Sequence, residues 1–212
     1  MFPALYAILD AAPNQAADTL ESLAQILAAT GVQLLQLRAK RIPPREFQKI
    51  AQSLAAHCAP AGVQLVINDR PDIAAMVGAK GVHVGQEDLP AEAARKICPA
   101  PQWVGVSTHN LEQLCAANAT SADYIAVGPI FQTHTKENPD PVVGLEFLRQ
   151  ARKITRKPLV AIGGITVKSA AEVFRAGADS VAVISDLITA ADPAHRALEY
   201  LEIARQTIST RT

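Results

Sequence analysis

Two short apolar segments of the chain run into carboxylates. The segment that ends at Ile67 is followed by Asp69, and the segment 81–84 is followed by Asp88. Helix capping would account for either acid alone, because a proline marks the first turn of the helix predicted after each. Two acids at matching places favour a metal site instead. Mg²⁺ is commonly held by one or two protein carboxylates together with phosphates and water, so it is the metal expected here.

Two cations share a face of another apolar segment. Strand alternation places Gln36, Arg38 and Lys40 on one side and Leu37 and Ala39 on the other. Arginine offers a planar fork for phosphate oxygens, and lysine offers a mobile point charge. The pattern therefore predicts an anion site at this segment. A pair of structural salt bridges remains the alternative interpretation.

Hydroxyls, a lysine and glycines suggest a second place for an anion. Thr133, Thr135 and Lys136 lie in the long connection 129–143, which is expected to act as a lid. Gly163-Gly164 and Ile184-Ser185 end two further apolar segments, where bare backbone N–H groups can approach a phosphate. These features predict a phosphate site.

Ser107 ends the fifth apolar segment. Asn110 and Gln113 have the spacing of a capping box for the helix that follows. The Ser107 hydroxyl is therefore expected to be free to bond a ligand.

Composition limits the kind of protein. The chain has 212 residues, 49% of them hydrophobic, with 20 basic and 20 acidic side chains, which suits one domain and no nucleic-acid or anionic-membrane partner. The N-terminal stretch lacks a basic segment followed by a long apolar run, so neither a signal peptide nor a membrane span is expected. The three cysteines are widely spaced, as is typical of reduced, structural thiols in a cytoplasmic protein.

Eight short strand patterns alternate with amphipathic helical patterns. The strands are predicted at 5–9, 34–38, 64–68, 81–84, 103–107, 124–128, 159–163 and 180–185. This alternation predicts an α/β fold, a single (β/α)8 TIM barrel that forms one catalytic domain over residues 1–212. An open doubly wound sheet would be expected to carry a glycine-rich turn after its first strand, and "ILDAAPNQ" is not one. In a barrel the carboxyl ends of the strands form the functional rim, so the residues above should meet there.

Several motifs resemble the thiamine phosphate synthase family from Leu5 to about Ile188. In chain order they are "QLRAK", "INDRPDIA", "GVHVGQEDLP", "GVSTHN", "VGPIFQTHTK", "VGLE", "AIGGIT" and "AVIS". Three positions depart from the family pattern. Ala39 replaces a glutamate, and His134 replaces a proline or small residue. Asp186 stands where alanine is usual, and its charge should weaken phosphate binding unless it points away or caps the next helix.

The resemblance implies a Mg²⁺-dependent transferase of thiamine biosynthesis that acts on two small phosphorylated substrates. A hydroxymethylpyrimidine diphosphate loses pyrophosphate by a dissociative path, and the nitrogen of a thiazole phosphate attacks the methylene carbon. The residues implied for the pyrimidine diphosphate are Gln36, Leu37, Arg38, Ala39, Lys40, Asn68, Ser107 and Lys136, of which Arg38, Lys40 and Lys136 would stabilise the departing charge. Those implied for the thiazole phosphate are Thr133, His134, Thr135, Gly163, Ile184 and Ser185. Asp69 and Asp88 would bind Mg²⁺.

Two other functions stay open at this point. A related thiazole tautomerase is an isomerase on a similar barrel, and a thiamine-phosphate-binding regulator would not be an enzyme. The full set of cations and the acid pair favours the synthase. The sequence leaves open a homo-oligomer and a carboxylate on the thiazole.

Overall fold

Eight parallel strands close into a barrel in chain order. The computed structural model describes residues 2–12, 17–133 and 140–209. The strands are β1 (Leu5–Asp10), β2 (Leu34–Arg38), β3 (Gln64–Asn68), β4 (Gly81–Val84), β5 (Trp103–Thr108), β6 (Tyr124–Val127), β7 (Leu159–Ile162) and β8 (Ser180–Val183). Because β1 pairs with both β2 and β8, the ring is complete. The predicted TIM barrel is confirmed.

Helices follow the strands and cover the outside of the barrel. Within the described ranges they are α1 (Ala17–Ala29), α2 (Pro44–Cys58), α3 (Pro71–Met76), α4 (Ala91–Ile97), α5 (Leu111–Asn118), α6 (Gly144–Ile154), α7 (Val167–Arg175), α8 (Ser185–Ile188) and α9 (Pro193–Ile208). None of these helices is long and apolar enough to cross a membrane. Cys58, Cys98 and Cys115 are free thiols.

Two apolar cores lie on the two sides of the strands. The inner core fills the barrel and comprises Tyr6, Ile8, Leu34, Val66, Tyr124, Ala126, Val160 and Ala182. The outer core lies between strands and helices, and it includes Leu35, Leu37 and Ala39. Strand β2 therefore alternates as predicted, since Gln36 bonds to the inner-core Tyr6 while its neighbours face outward.

The eighth strand ends two residues earlier than the sequence predicts. Strand β8 ends at Val183 and α8 begins at Ser185, because Ile184 leaves the extended conformation with φ −114° and ψ −90°. Leu187 of α8 is buried in the outer core, and this burial holds the short helix against the barrel. A short extra helix after the eighth strand is a frequent feature of phosphate-binding barrels.

Candidate active site

The predicted site residues collect at the carboxyl ends of the strands. Because parallel strands in a closed ring share one direction, these ends form a single rim. The described members are Arg38 and Lys40 after β2, Asn68 and Asp69 after β3, Asp88 after β4, Ser107 in β5, Thr133 after β6, Gly163 after β7, and Ile184 and Ser185 after β8. His134, Thr135 and Lys136 lie outside the described residues.

Asp69 and Asp88 face each other across the ends of β3 and β4. Asp69 adopts a left-handed backbone with φ 62° and donates its N–H to the His83 carbonyl at 2.8 Å. Asp88 accepts the Gly85 N–H at 2.8 Å. The pKa of Asp69 is raised to about 6, first by burial and then by its contact with Asp88, while Lys40 opposes the shift. Two carboxylates held this close favour a cation between them.

Helix capping does not explain this acid pair. Arg70 is the N-cap of α3, and Pro90 is the N-cap of α4, so neither Asp69 nor Asp88 occupies a capping position. Pro90 precedes its helix, whereas Pro71 does open α3 as expected. The capping interpretation of the two acids is therefore wrong.

The two rim cations are paired with carboxylates. Arg38 Nη1 lies 2.6 Å from Asp10 Oδ1, and Lys40 Nζ lies 3.3 Å from Asp69 Oδ2. Asp10 and Arg38 are register partners on β1 and β2, which places the two side chains together. Sequence reasoning missed Asp10, although the first strand also ends in an acid, in "AILD". The rim thus holds two ion pairs, Arg38 with Asp10 and Lys40 with Asp69, that an anionic ligand could rearrange.

Ser107 has a buried partner that the sequence did not indicate. Its Oγ lies 2.8 Å from His83 Nε2, and His83 Nδ1 lies 3.0 Å from the Tyr124 hydroxyl. The Tyr124 hydroxyl lies 3.0 Å from that of Tyr6, which accepts a 2.7 Å hydrogen bond from Gln36 Nε2. Gln36 and Ser107 are therefore the two ends of one buried chain of polar groups.

Three other predicted residues of the pyrimidine site differ in their setting. Leu37 and Ala39 are buried in the outer core, so only their backbone atoms could reach a ligand at the rim. Asn68 is 8% exposed at the end of β3, next to Asp69. It is the register partner of His83 on β4.

The glycines after β7 are required by a neighbouring segment. Gly163 and Gly164 have φ 97° and 64°. A Cβ on Gly163 would lie 2.5 Å from the Pro129 Cβ, and the Phe131 N–H donates to the Gly163 carbonyl at 3.0 Å. These contacts dock the start of the 129–143 connection on the end of β7. A Cβ on Gly164 would lie 2.4 Å from the carbonyl oxygen of Gln132, the residue before the partly exposed Thr133.

Asp186 is turned away from the rim. Its Oδ2 accepts hydrogen bonds from the Tyr200 hydroxyl at 2.8 Å and from the Val167 N–H at 3.3 Å, and it pairs with Arg196 Nη1 at 2.8 Å. The acid therefore joins α8 to α7 and α9, and an arginine neutralises it. Its departure from the family pattern does not place an uncompensated charge at the phosphate site.

A pH dependence of stability follows from His83. Burial lowers the pKa of His83 to about 4, with Asp88 opposing and His109 adding to the shift. In the unfolded chain His83 takes up a proton near pH 6.5, whereas in the folded protein it does so only near pH 4. The contribution of neutral His83 to the free energy of unfolding is therefore fully present above pH 6.5 and is lost as the pH falls toward 4. The loss from this group should approach about 3 kcal/mol.

Urea titrations at pH 7 and pH 4.5 on the wild type and on His83→Gln would measure this contribution. Asp69 acts in the opposite direction, because its raised pKa favours the fold as the pH falls through about 6. His83→Gln keeps the contribution of Asp69, so its free energy of unfolding should fall less between pH 7 and pH 4.5 than that of the wild type. Identical pH dependence in both proteins would contradict the assignment.

The fold and the rim define a TIM-barrel protein whose polar site holds paired carboxylates, cations and a glycine turn. The model of the thiamine monophosphate synthase family matches residues 5–187. The chain is 52% identical to the thiamine-phosphate synthase of Koribacter versatilis over 95% of both chains, and 45% identical to that of Albidiferax ferrireducens over 86% and 84%. A solved thiamine phosphate pyrophosphorylase from Pyrococcus furiosus superposes with a TM-score of 0.84 at 32% identity, covering 97% of this chain and 96% of that one. The chain belongs to the thiamine monophosphate synthase family.

Proposed function

We propose that the protein is a thiamine-phosphate synthase, a transferase that joins a hydroxymethylpyrimidine diphosphate to a thiazole phosphate with release of pyrophosphate. The observation that carries the proposal is the facing pair Asp69 and Asp88 beside Arg38 and Lys40, on the rim of a barrel of this family. The thiamine-phosphate synthase from Koribacter versatilis matches nearly the whole chain and supports the same reaction.

The acid pair fits a magnesium ion. Carboxylate oxygens are the ligands that Mg²⁺ prefers. Burial and then the nearby Asp88 raise the pKa of Asp69, and a bound cation would favour the ionised form against both effects. No cluster of three or more His, Cys, Asp or Glu ligands exists among the described residues, so substrate phosphates and water would complete the coordination, as is usual for Mg²⁺. The bound ion would neutralise charge that develops on the departing pyrophosphate.

The cations of the rim would bind the diphosphate. Arg38 can exchange the single carboxylate of Asp10 for phosphate oxygens, and the half-exposed Lys40 can swing from Asp69 to the same group. As the bond between the methylene carbon and the leaving oxygen breaks, its electron pair departs with the pyrophosphate. Preorganised positive charge at the rim would stabilise that anion.

The ends of β7 and β8 would bind the thiazole phosphate. The loops after the last two strands and a short extra helix are the frequent phosphate site of TIM barrels, and here they contain Gly163, Ile184 and Ser185. Thr133 reaches the same region on the docked 129–133 segment. The thiazole nitrogen carries its own lone pair, so the attack on the methylene carbon needs no general base.

One assay tests the proposed function. The protein is incubated with both substrates and Mg²⁺, and thiamine phosphate and pyrophosphate are measured by liquid chromatography and mass spectrometry. Equal amounts of both products, formed only when both substrates and Mg²⁺ are present, are expected. Isomerisation of thiazole phosphate alone would indicate the tautomerase instead, and tight binding of thiamine phosphate without turnover would indicate a regulator.

Arg38→Lys should weaken binding of the pyrimidine diphosphate. The substitution keeps the charge but loses the planar fork, so the Michaelis constant for the pyrimidine diphosphate should rise about tenfold or more. That for the thiazole phosphate should change little, because the second phosphate is assigned to β7 and β8. Steady-state kinetics with each substrate varied in turn would measure both constants. Equal increases in the two constants would contradict the placement of the diphosphate at β2.

A further inference from the structure

A chain of hydrogen bonds crosses the interior of the barrel from β2 to β5. In order it links Gln36 Nε2, the Tyr6 hydroxyl, the Tyr124 hydroxyl, His83 and Ser107 Oγ, with separations of 2.7, 3.0, 3.0 and 2.8 Å. Its three inner members are less than 7% exposed, and they lie on β1, β6 and β4. The two ends, Gln36 and Ser107, are the residues assigned above to the pyrimidine substrate.

The inner members of the chain are uncharged at neutral pH. Burial raises the pKa of Tyr6 and of Tyr124 above the usual value. His83 is 6% exposed and its two ring nitrogens bond to two neutral hydroxyl groups, so its buried setting favours the neutral ring. Each tyrosine therefore keeps one proton, and His83 carries a single proton on one of its two ring nitrogens. A neutral chain of this kind has a direction, which is set by the donor at its first bond.

The order of donors follows from the amide of Gln36. Its Nε2 donates to the Tyr6 hydroxyl, whose own proton then has the Tyr124 oxygen as its acceptor. Tyr124 in turn donates to His83 Nδ1, which places the imidazole proton on Nε2, facing Ser107 Oγ. The reverse order among these groups would leave the buried Tyr6 proton without an acceptor in the chain, which is costly.

This direction decides what each end offers to a ligand. Since Ser107 Oγ accepts from His83, its own O–H is left to donate. Since Gln36 uses Nε2 within the protein, its carbonyl oxygen is left to accept. An aminopyrimidine has a ring nitrogen that accepts and an exocyclic amino group that donates, so it matches the two ends.

We propose that Tyr6, Tyr124 and His83 are positioning residues that fix Gln36 as an acceptor and Ser107 as a donor, and that they thereby select an aminopyrimidine over an oxopyrimidine. The inference rests on the proposed function, because it takes the pyrimidine diphosphate as the ligand at these two ends. An oxo group in place of the amino group would set an acceptor against the Gln36 carbonyl. Rejection of that analogue would follow from the unpaired acceptor.

Gly105 on β5 leaves the space that the Tyr124 ring needs to join this chain of hydrogen bonds. A Cβ at residue 105 would lie 2.0 Å from Cζ of Tyr124 and 2.4 Å from its hydroxyl oxygen. Only glycine at this point of β5 lets the Tyr124 ring reach both Tyr6 and His83. The Tyr124 ring also stacks on the His83 imidazole, with centroids 5.5 Å apart and planes 25° apart, which fixes the ring that carries the proton.

The decisive variant is Tyr124→Phe, which keeps the ring and removes the central hydroxyl. Without that acceptor, Tyr6 can donate to the Gln36 carbonyl, and the amide can turn its NH₂ group toward the ligand. The measured quantity is kcat/KM for the pyrimidine diphosphate divided by kcat/KM for its 4-oxo analogue. The intrinsic reactivity of the two substrates cancels when the ratios of variant and wild type are compared. We expect Tyr124→Phe to lower the ratio about tenfold or more.

Tyr200→Phe is the matched control. Tyr200 is also a buried tyrosine, but its hydroxyl bonds to Asp186 outside the barrel, so the ratio should stay at the wild-type value. A wild-type ratio in Tyr124→Phe would overturn this inference alone. Absence of product from the wild type would overturn the proposed function, and this inference with it.

A second measurement determines the direction of the chain of hydrogen bonds in the wild-type protein, without any variant. Nitrogen-15 NMR of the wild-type protein with labelled histidine distinguishes the two neutral tautomers of His83. The Nε2–H tautomer is expected at pH 7. The Nδ1–H tautomer would reverse the chain and overturn the inference, even if Tyr124→Phe failed to fold.

Discussion

Asp69→Asn is expected to lower kcat roughly 100- to 1000-fold, as does the loss of one preorganised electrostatic group in other enzymes. Asparagine keeps the size of the side chain and tolerates the left-handed backbone at φ 62°. The substitution removes one of the two carboxylates proposed to bind Mg²⁺. The remaining turnover should therefore need a higher Mg²⁺ concentration, which a titration of initial rate against Mg²⁺ would measure.

A measurement of the free energy of unfolding distinguishes loss of the proposed metal site from loss of the folded structure. The raised pKa of Asp69 means that the fold disfavours its ionised form, so a neutral side chain should not lower the free energy of unfolding at pH 7.5. Asp72→Asn is the control, because Asp72 is half exposed and pairs with Arg70 on the surface. It should leave turnover unchanged. Loss of stability in Asp69→Asn in proportion to its loss of activity would count against the metal site.

Gly105→Ala is expected to destabilise the protein by about 3 kcal/mol or more, since it forces a methyl group into the ring of Tyr124. Gly105 lies in a strand that pairs on both sides, so the backbone cannot move away without breaking the barrel. The melting temperature should fall by roughly 6–12 °C for a chain of this size. Differential scanning calorimetry of the purified variant would measure the change.

Gly62→Ala is the matched control for this substitution. Gly62 has φ 69°, but a Cβ there would meet no atom within 4 Å. It should cost only the left-handed backbone penalty of about 1–2 kcal/mol. A Gly105→Ala/Tyr124→Ala double variant lacks the ring that the new methyl group would meet. Its loss in the free energy of unfolding should therefore be smaller than the sum of the losses in the two single variants. Additive losses would show that the two residues do not compete for space.

The sequence alone determined the barrel and the rim at which its polar side chains collect. Strand and helix patterns alternate eight times, and period-two alternation in β2 separates Gln36 from Leu37 correctly. Both signals are local, since they depend on which side of a strand or helix is apolar. Placement of polar residues at the strand ends then follows from the parallel topology, which brings Asp69 and Asp88 to one rim.

Only the tertiary structure decided which polar groups pair with one another. Asp10 meets Arg38, Asp186 turns to Arg196 and Tyr200, and Ser107 joins the buried chain through His83. Each of these pairs joins different strands or helices, and their distance along the chain carries no periodic signal. Barrel register sets the Asp10–Arg38 pair, and the space left by Gly105 lets Tyr124 reach His83. Packing of α8 against α9 sets the contacts of Asp186. Side-chain direction at a rim is a property of the closed ring, so it appears only once all eight strands are in place.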